Sequence, residues 1–159
     1  MKHSIADKYA PQRCLACYGL LVRTQDTSAL WIRLADRSPI SALTCQFLAW
    51  CLERLEEQGT PVLVLIWDRA TWHSSQRVRS WLRLRNQRVK AVGTGVRVVS
   101  CMLPTQSPWL NPIEPYWLHG KRRVANPDGP LSVEDLSARI YDTFGCPHEP
   151  PLSLSSNVS

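Results

Sequence analysis

Apolar residues fall in short blocks separated by polar turns. Residues 14–22 are almost continuously apolar and predict a strand. Residues 23–28 are polar, and residues 29–34 predict a second strand, so the pair forms an expected hairpin. Ser38-Pro39 opens a helix, along which Leu43, Phe47, Trp50, Cys51 and Leu55 recur at helical spacing. Glu53, Glu56 and Glu57 lie off that stripe, and Gly59 ends it. Val62–Trp67 is an unbroken apolar run, which suits a strand buried on both faces. A helix over residues 74–86 follows, with Val78, Trp81 and Leu82 inward and Arg79, Arg83, Arg85 and Arg88 outward. Residues 96–103 form another strand. A helix begins near Asn111-Pro112, and a last one covers Val133–Phe144. Strand, strand, helix, strand, helix, strand, helix, helix is an α/β order, a hairpin followed by crossover connections.

The chain has 159 residues, a length that suits one domain. Hydrophobic residues are 44% of it, enough for a packed core. No apolar run exceeds six residues, so none spans a bilayer. The first residues lack an apolar signal region, which points to a cytoplasmic protein whose six cysteines are reduced.

Charge changes the picture more. Of 19 Lys and Arg, fifteen are arginine, the better residue for bidentate phosphate contacts. Residues 69–123 hold eleven bases and one acid, whereas residues 1–68 are balanced and residues 124–159 are acidic. Such a basic block suggests a polyanionic partner, most naturally nucleic acid, rather than a merely solvated helix face.

Two carboxylates stand out against that background. Asp68 follows Val62–Trp67 directly, at the strand end where open α/β sheets bind ligands. An acid there needs a hydrogen bond, a cation or a metal. It could cap the next helix, but Ser74 and Ser75 are closer and are good caps themselves. Glu114 is the one acid in the basic block. With Asn111 as N-cap and Pro112 first in the helix, it takes the capping-box position, although Pro115 makes that start irregular. Two acids from separate elements amid arginines suit Mg²⁺-assisted phosphodiester cleavage.

The segment Val-Leu-Ile-Trp-Asp68-Arg-Ala-Thr-Trp-His73 resembles the second-acid motif of mariner-like DDE transposases of bacterial insertion sequences. Leu103-Pro-Thr-Gln-Ser-Pro-Trp-Leu-Asn-Pro-Ile-Glu114-Pro-Tyr-Trp117 resembles their third-acid motif. Gly120-Lys-Arg-Arg123, the strand at 14–22 and Phe144-Gly-Cys-Pro-His148 are also similar to one subgroup. The similarity covers nearly all of residues 13–150.

The resemblance implies an RNase H-like mixed sheet flanked by helices, dependence on Mg²⁺ or Mn²⁺, cleavage at transposon ends and strand transfer into target DNA. It implies that Asp68 and Glu114 are catalytic metal ligands. His73 matches a family histidine that orients the site or contacts phosphate, though packing against Trp72 is an equal reading. Lys121, seven residues after Glu114, shares its helix face and continues into Arg122 and Arg123. With Arg79 and Arg83 these form the expected DNA-binding set. The expected location is the cytoplasm, in association with the nucleoid.

No strand bearing the family's first Asp precedes residue 14. Asp7, Asp26 and Asp36 lie in polar stretches that do not match it. The expected layout is a leader at 1–12, an N-terminally truncated catalytic domain at 13–146 and a flexible tail at 147–159. In the implied fold the missing strand is central, so its neighbours pair directly, borrow a strand from another chain, or leave backbone groups unpaired. The expected activity is that of a transposase catalytic fragment, inactive alone. The alternative is a non-catalytic fragment that binds DNA or transposase. Partners on these readings are DNA, full-length transposase or an upstream polypeptide, and a second copy. Cys14-x-x-Cys17 has a zinc-like spacing, with Cys146 and His148 as further candidates, but residues three apart on a strand face opposite ways. Buried thiols are the preferred reading. Trp50, Trp67 and Trp81 are expected in the core, and core packing is also preferred for Trp109 and Trp117.

Overall fold

The computed structural model describes residues 15–124 and 131–154. The expected leader, with Cys14 and Asp7, lies outside the described residues, as does the end of the expected tail. Strand β1 (Ala16–Arg23) turns at Thr24–Thr27 into β2 (Ser28–Ala35), pairing antiparallel from Ala16 with Ala35 to Arg23 with Ser28. In the turn, the Thr27 N–H donates to the Thr24 hydroxyl and the Thr24 N–H to the Thr27 carbonyl. Helix α1 (Ser41–Glu57) follows, then β3 (Val62–Trp67), a short α2 (Thr71–Ser74), α3 (Gln76–Val92) and β4 (Arg97–Met102). A 3-10 turn at Pro108–Leu110 leads to α4 (Glu114–Val124) and α5 (Val133–Phe144).

β3 and β4 pair in parallel, Val62 with Arg97 through Trp67 with Met102. The architecture is thus α/β with two separate two-stranded sheets, β1–β2 and β3–β4. Among the described residues no backbone hydrogen bond joins β1 to β3.

Helix α1 ties the two sheets together. Near its start, Leu43, Phe47 and Cys51 pack with Ala16, Tyr18 and Ala35. Tyr18 adds a polar clasp, its hydroxyl accepting from the Ile40 N–H at 3.0 Å. Toward its end, Leu48, Leu52 and Leu55 join Leu65, Trp67, Val78, Leu82, Val96 and Val98, with Val22 of β1 at the border. Following α1 from start to end, one therefore moves along β1 from Tyr18 to Val22. β3 leaves the end of α1 through a four-residue turn and runs back, so β1 and β3 point in opposite directions. On the other side of the hairpin, Ile32 and Leu34 pack with Tyr141, Cys146, Trp117 and Phe144. Helices α4 and α5 approach closely there because Gly120 has no Cβ; one would collide with the Phe144 ring.

Several expectations are corrected. β3 is not buried on both faces: Leu65 and Trp67 are buried, but Val62, Val64 and Ile66 are about half exposed. α1 and α3 cover one face of the β3–β4 pair, and no described helix covers the other. The helix expected over 74–86 runs to Val92, because Asn86 is a packing residue and not a stop; Gly93, left-handed at φ 80°, ends it. The preceding turn, α2, was not expected. Arg85 does not point outward. It lies 5.9 Å from the Trp81 ring centre and 4.0 Å from Glu56, with its Nε buried. α4 starts at Glu114, not at Pro112. The Glu114 N–H donates to the Asn111 carbonyl, so the Pro112-Ile113 pair forms a turn before the helix and there is no capping box. Trp109 is 75% exposed rather than core, because the 3-10 turn aims it outward. The expected flexible tail is pinned over 149–152. Leu152 is buried and its N–H donates to Leu34, while Arg33 donates to the Pro150 carbonyl and Glu149 pairs with Arg54.

Candidate active site

β3 ends where chain direction must change, and the residues that make that change are polar. Asp68 Oδ1 accepts from the Ala70 N–H at 3.0 Å, closing a tight turn into α2. The same oxygen lies 2.8 Å from His73 Nδ1, so that ring nitrogen carries a proton and donates it. α2 brings His73 back over the strand end, where its ring stacks on Trp67 at 5.0 Å. Trp72 meets the imidazole edge-on at 5.9 Å, the contact expected from the packing reading of His73. Trp67 is fixed in turn, its Nε1 donating to Ser100 on β4 at 3.0 Å. Asp68 Oδ2 has no hydrogen-bond partner among the described residues. Its side chain is 53% exposed.

Glu114 arrives from the other direction. Trp67 and Leu103 continue the parallel ladder, the Leu103 N–H donating to Trp67 at 2.8 Å. Arg69, which sequence reasoning passed over, donates from Nε to the Leu103 carbonyl at 3.0 Å. It thereby ties the turn after β3 to the loop after β4. That loop passes a left-handed Gln106 and the 3-10 turn before α4 begins. Glu114 is partly buried, and no described residue hydrogen-bonds its carboxylate.

Asp68, His73 and Glu114 line one cleft of about 600 Å³. Trp72, Asn111, Ile113 and Trp117 share its wall, and β1 and β3 form its sides. Asn111 is a polar lining residue read from sequence only as a cap; the motif around Glu114 was the signal for it. The expected DNA-binding residues are distributed differently. Arg79 lines a second hollow with Trp67, Arg69, Ser74, Leu82, Ser100 and Met102, beside the site. Arg83 is exposed one turn further along α3. Lys121, Arg122 and Arg123 are exposed at the far end of α4, away from the cleft lining.

The model of the DDE superfamily endonuclease family matches residues 41–137. The chain belongs to the DDE superfamily endonucleases. The match spans α1 to the start of α5 and holds Asp68, His73 and Glu114, while the β1–β2 hairpin precedes it. No curated protein and no solved structure matches the chain. Among the described residues, no helix of this DDE endonuclease is long and apolar enough to cross a membrane.

The donor set favours a hard cation over a soft one. Two carboxylates with oxygens that no described residue hydrogen-bonds suit Mg²⁺ or Mn²⁺. Among the described residues, no group of three or more His, Cys, Asp and Glu is gathered closely enough to hold an ion unaided. The zinc reading finds no support there either. His148 turns to Asp142 at 2.8 Å and stacks on Tyr141. Cys146 donates to the Leu30 carbonyl, and burial pushes the Cys17 thiol up to about 12, with Cys146 beside it adding to the rise.

Proposed function

We propose that this DDE superfamily endonuclease is the catalytic region of a mariner-like transposase of the bacterial insertion-sequence type, with an RNase H-like fold. The observation that carries the reading is the meeting of Asp68, His73 and Glu114, from distant parts of the chain, in one cleft at the end of β3. Asp68 and Glu114 would hold a divalent cation, Mg²⁺ or Mn²⁺, through oxygens that no described residue hydrogen-bonds. Bound there, such an ion would supply activation of the attacking oxygen and charge stabilisation at the leaving one in phosphodiester cleavage. His73 fixes the Asp68 carboxylate in one orientation through Nδ1 and presents Nε2 to the cleft or to phosphate. Arg79 and Arg83 on one side, and Lys121, Arg122 and Arg123 on the other, hold DNA by its backbone.

Two acids are fewer than the three that the resemblance implies. The third carboxylate comes from outside the described residues, and the chain alone binds metal weakly and does not cut. Mn²⁺ titration followed by NMR line broadening tests the metal site. Broadening should centre on residues around Asp68 and Glu114 and be lost in Asp68→Asn and Glu114→Gln. Broadening unchanged in both variants would remove the basis for the reading. Mg²⁺-dependent nicking by the chain alone, abolished by Asp68→Ala, would overturn the inactivity while upholding the site. DNA affinity should fall steeply with salt, since phosphate contacts release counterions.

A further inference from the structure

Beside the cleft lies the second hollow, of about 420 Å³. The turn after β3 deals its residues alternately to the two. Asp68 and His73 line the cleft, while their chain neighbours Arg69 and Ser74 line the hollow. Trp67 is the shared wall. Consecutive Cα atoms are about 3.8 Å apart, so the two openings adjoin. A DNA strand crossing one opening passes the other.

The hollow has its own chemistry. Trp67 of β3, Leu82 of α3 and Met102 of β4 give it an apolar lining. Its charged lining is Arg69 and Arg79, and among the described residues no acid shares it. Each guanidinium is anchored through one nitrogen. Arg69 uses Nε on the Leu103 carbonyl at 3.0 Å, and Arg79 uses Nη2 on Gln76 Oε1 at 3.3 Å. Arg69 thus keeps its outer edge, Nη1 and Nη2, the fork that matches the oxygens of an anion. Ser100 Oγ accepts from Trp67 Nε1, which leaves its hydroxyl hydrogen to donate. Ser74 gives its hydroxyl hydrogen to the Ala70 carbonyl, so it adds no donor. Two like charges brought to one hollow repel, and an anion held between them reverses that cost.

We propose that this hollow is a phosphate subsite, in which Arg69 and Arg79 together hold one backbone phosphate of the DNA strand, adjacent to the bond presented to Asp68 and Glu114. The inference rests on the proposed DNA-cleaving role and adds to it a fixed point for the strand. The free oxygens of a phosphodiester meet the two guanidiniums, and its sugar lies on the apolar lining. Phosphate contacts carry no sequence information, so the hold is the same for every sequence. Arg69 also links the phosphate to both acids. It follows Asp68 in the chain, and its bond to Leu103 ties it to the loop that leads to Glu114.

Binding of a labelled mixed-sequence DNA duplex to the full chain, in metal-free buffer over a range of KCl, tests the subsite. Arg69→Gln and Arg79→Gln should each weaken binding about tenfold at low salt. Because both arginines hold one phosphate, the double variant should be little weaker than either single one. It should lower the slope of log affinity against log salt by about one, not two. Arg79→Gln combined with Lys121→Gln, from the far end of α4, should instead multiply the two losses. Arg69→Gln also disturbs the bond to Leu103, so the unaltered protein supplies a second readout. An arginine-specific dicarbonyl reagent, mapped by peptide mass, should be excluded from Arg69 and Arg79 together when DNA is added. Three results would overturn the subsite while salt-dependent DNA binding stands: multiplied losses in the Arg69–Arg79 double variant, unchanged affinity in both single variants, or reagent access that DNA leaves unaltered at either arginine. No DNA binding by the unaltered chain would overturn the subsite and the DNA-cleaving role with it.

Discussion

The β1–β2 hairpin and the β3–β4 pair have the same number of strands and opposite surroundings. The hairpin is sandwiched, with α1 and Leu152 on one face and α4, α5 and Cys146 on the other. The β3–β4 pair is covered by α1 and α3 on one face and leaves Val62, Val64, Ile66 and Val99 exposed on the other. The site belongs to the less covered pair. Asp68 and His73 hang from the end of β3, while the hairpin supplies only a wall of the cleft. Burial and chemistry are thus divided: one pair is a packed slab, and the other offers an open strand end.

The contrast predicts a large difference between matched truncations. Ile32→Ala in the slab should destabilise the protein by about 2–5 kcal/mol, since truncating a fully buried side chain leaves a cavity between the hairpin and the α4–α5 layer. Denaturant midpoints measure this, and a loss below about 1 kcal/mol would break the distinction. Asn86→Ala comes next. It strips both partners from Val98 and should cost about 1–3 kcal/mol, with faster exchange of the Val98 amide. A neutral result would mean that β4 does not depend on those bonds.

Alkali should act on the slab. Burial raises the thiol of Cys17, on β1, to about 12 and also raises those of Cys45, Cys51 and Cys146. A thiol raised in the folded state favours folding fully below its unfolded value near 9, and that contribution fades as pH climbs from 9 toward 12. The midpoint should therefore drop over that window and recover part of the loss in Cys17→Ala. A flat profile would contradict the burial of these thiols. Cys101, exposed on β4, should meanwhile react with a thiol reagent well before those four. The smallest effect is expected at Val64→Thr, within about 0.5 kcal/mol, because Val64 is 57% exposed. A larger loss would sharpen the comparison by showing that something covers the bare face in solution.

Much of this was legible one element at a time. The stripe from Leu43 to Leu55 located α1, and Ser132 and Gly145 bracket α5 as its length predicts. Asp68, His73 and Glu114 were legible because their neighbours form extended motifs. Other features depended on partners distant in sequence. Val62–Trp67 carries no alternation, so nothing in it reveals that one face lacks a cover. Arg85 shares its spacing with Arg88, yet only the approach of Glu56 and Trp81 draws it inward. Arg69 and Asn86 look like ordinary helix or turn residues. Their bonds to Leu103 and Val98 exist only once β4 lies beside β3.

Local pattern, then, determined the α/β class, the order of the main elements, the basic block and the positions of two candidate acids. Those depend on side-chain periodicity and on residue chemistry, both written along the chain. Tertiary structure alone decided that the acids share a cleft, that α4 begins at Glu114, and that among the described residues no backbone hydrogen bond joins the two sheets. Strand pairing and layer packing join residues far apart in sequence, and which edge or face finds a partner is a property of the assembled fold.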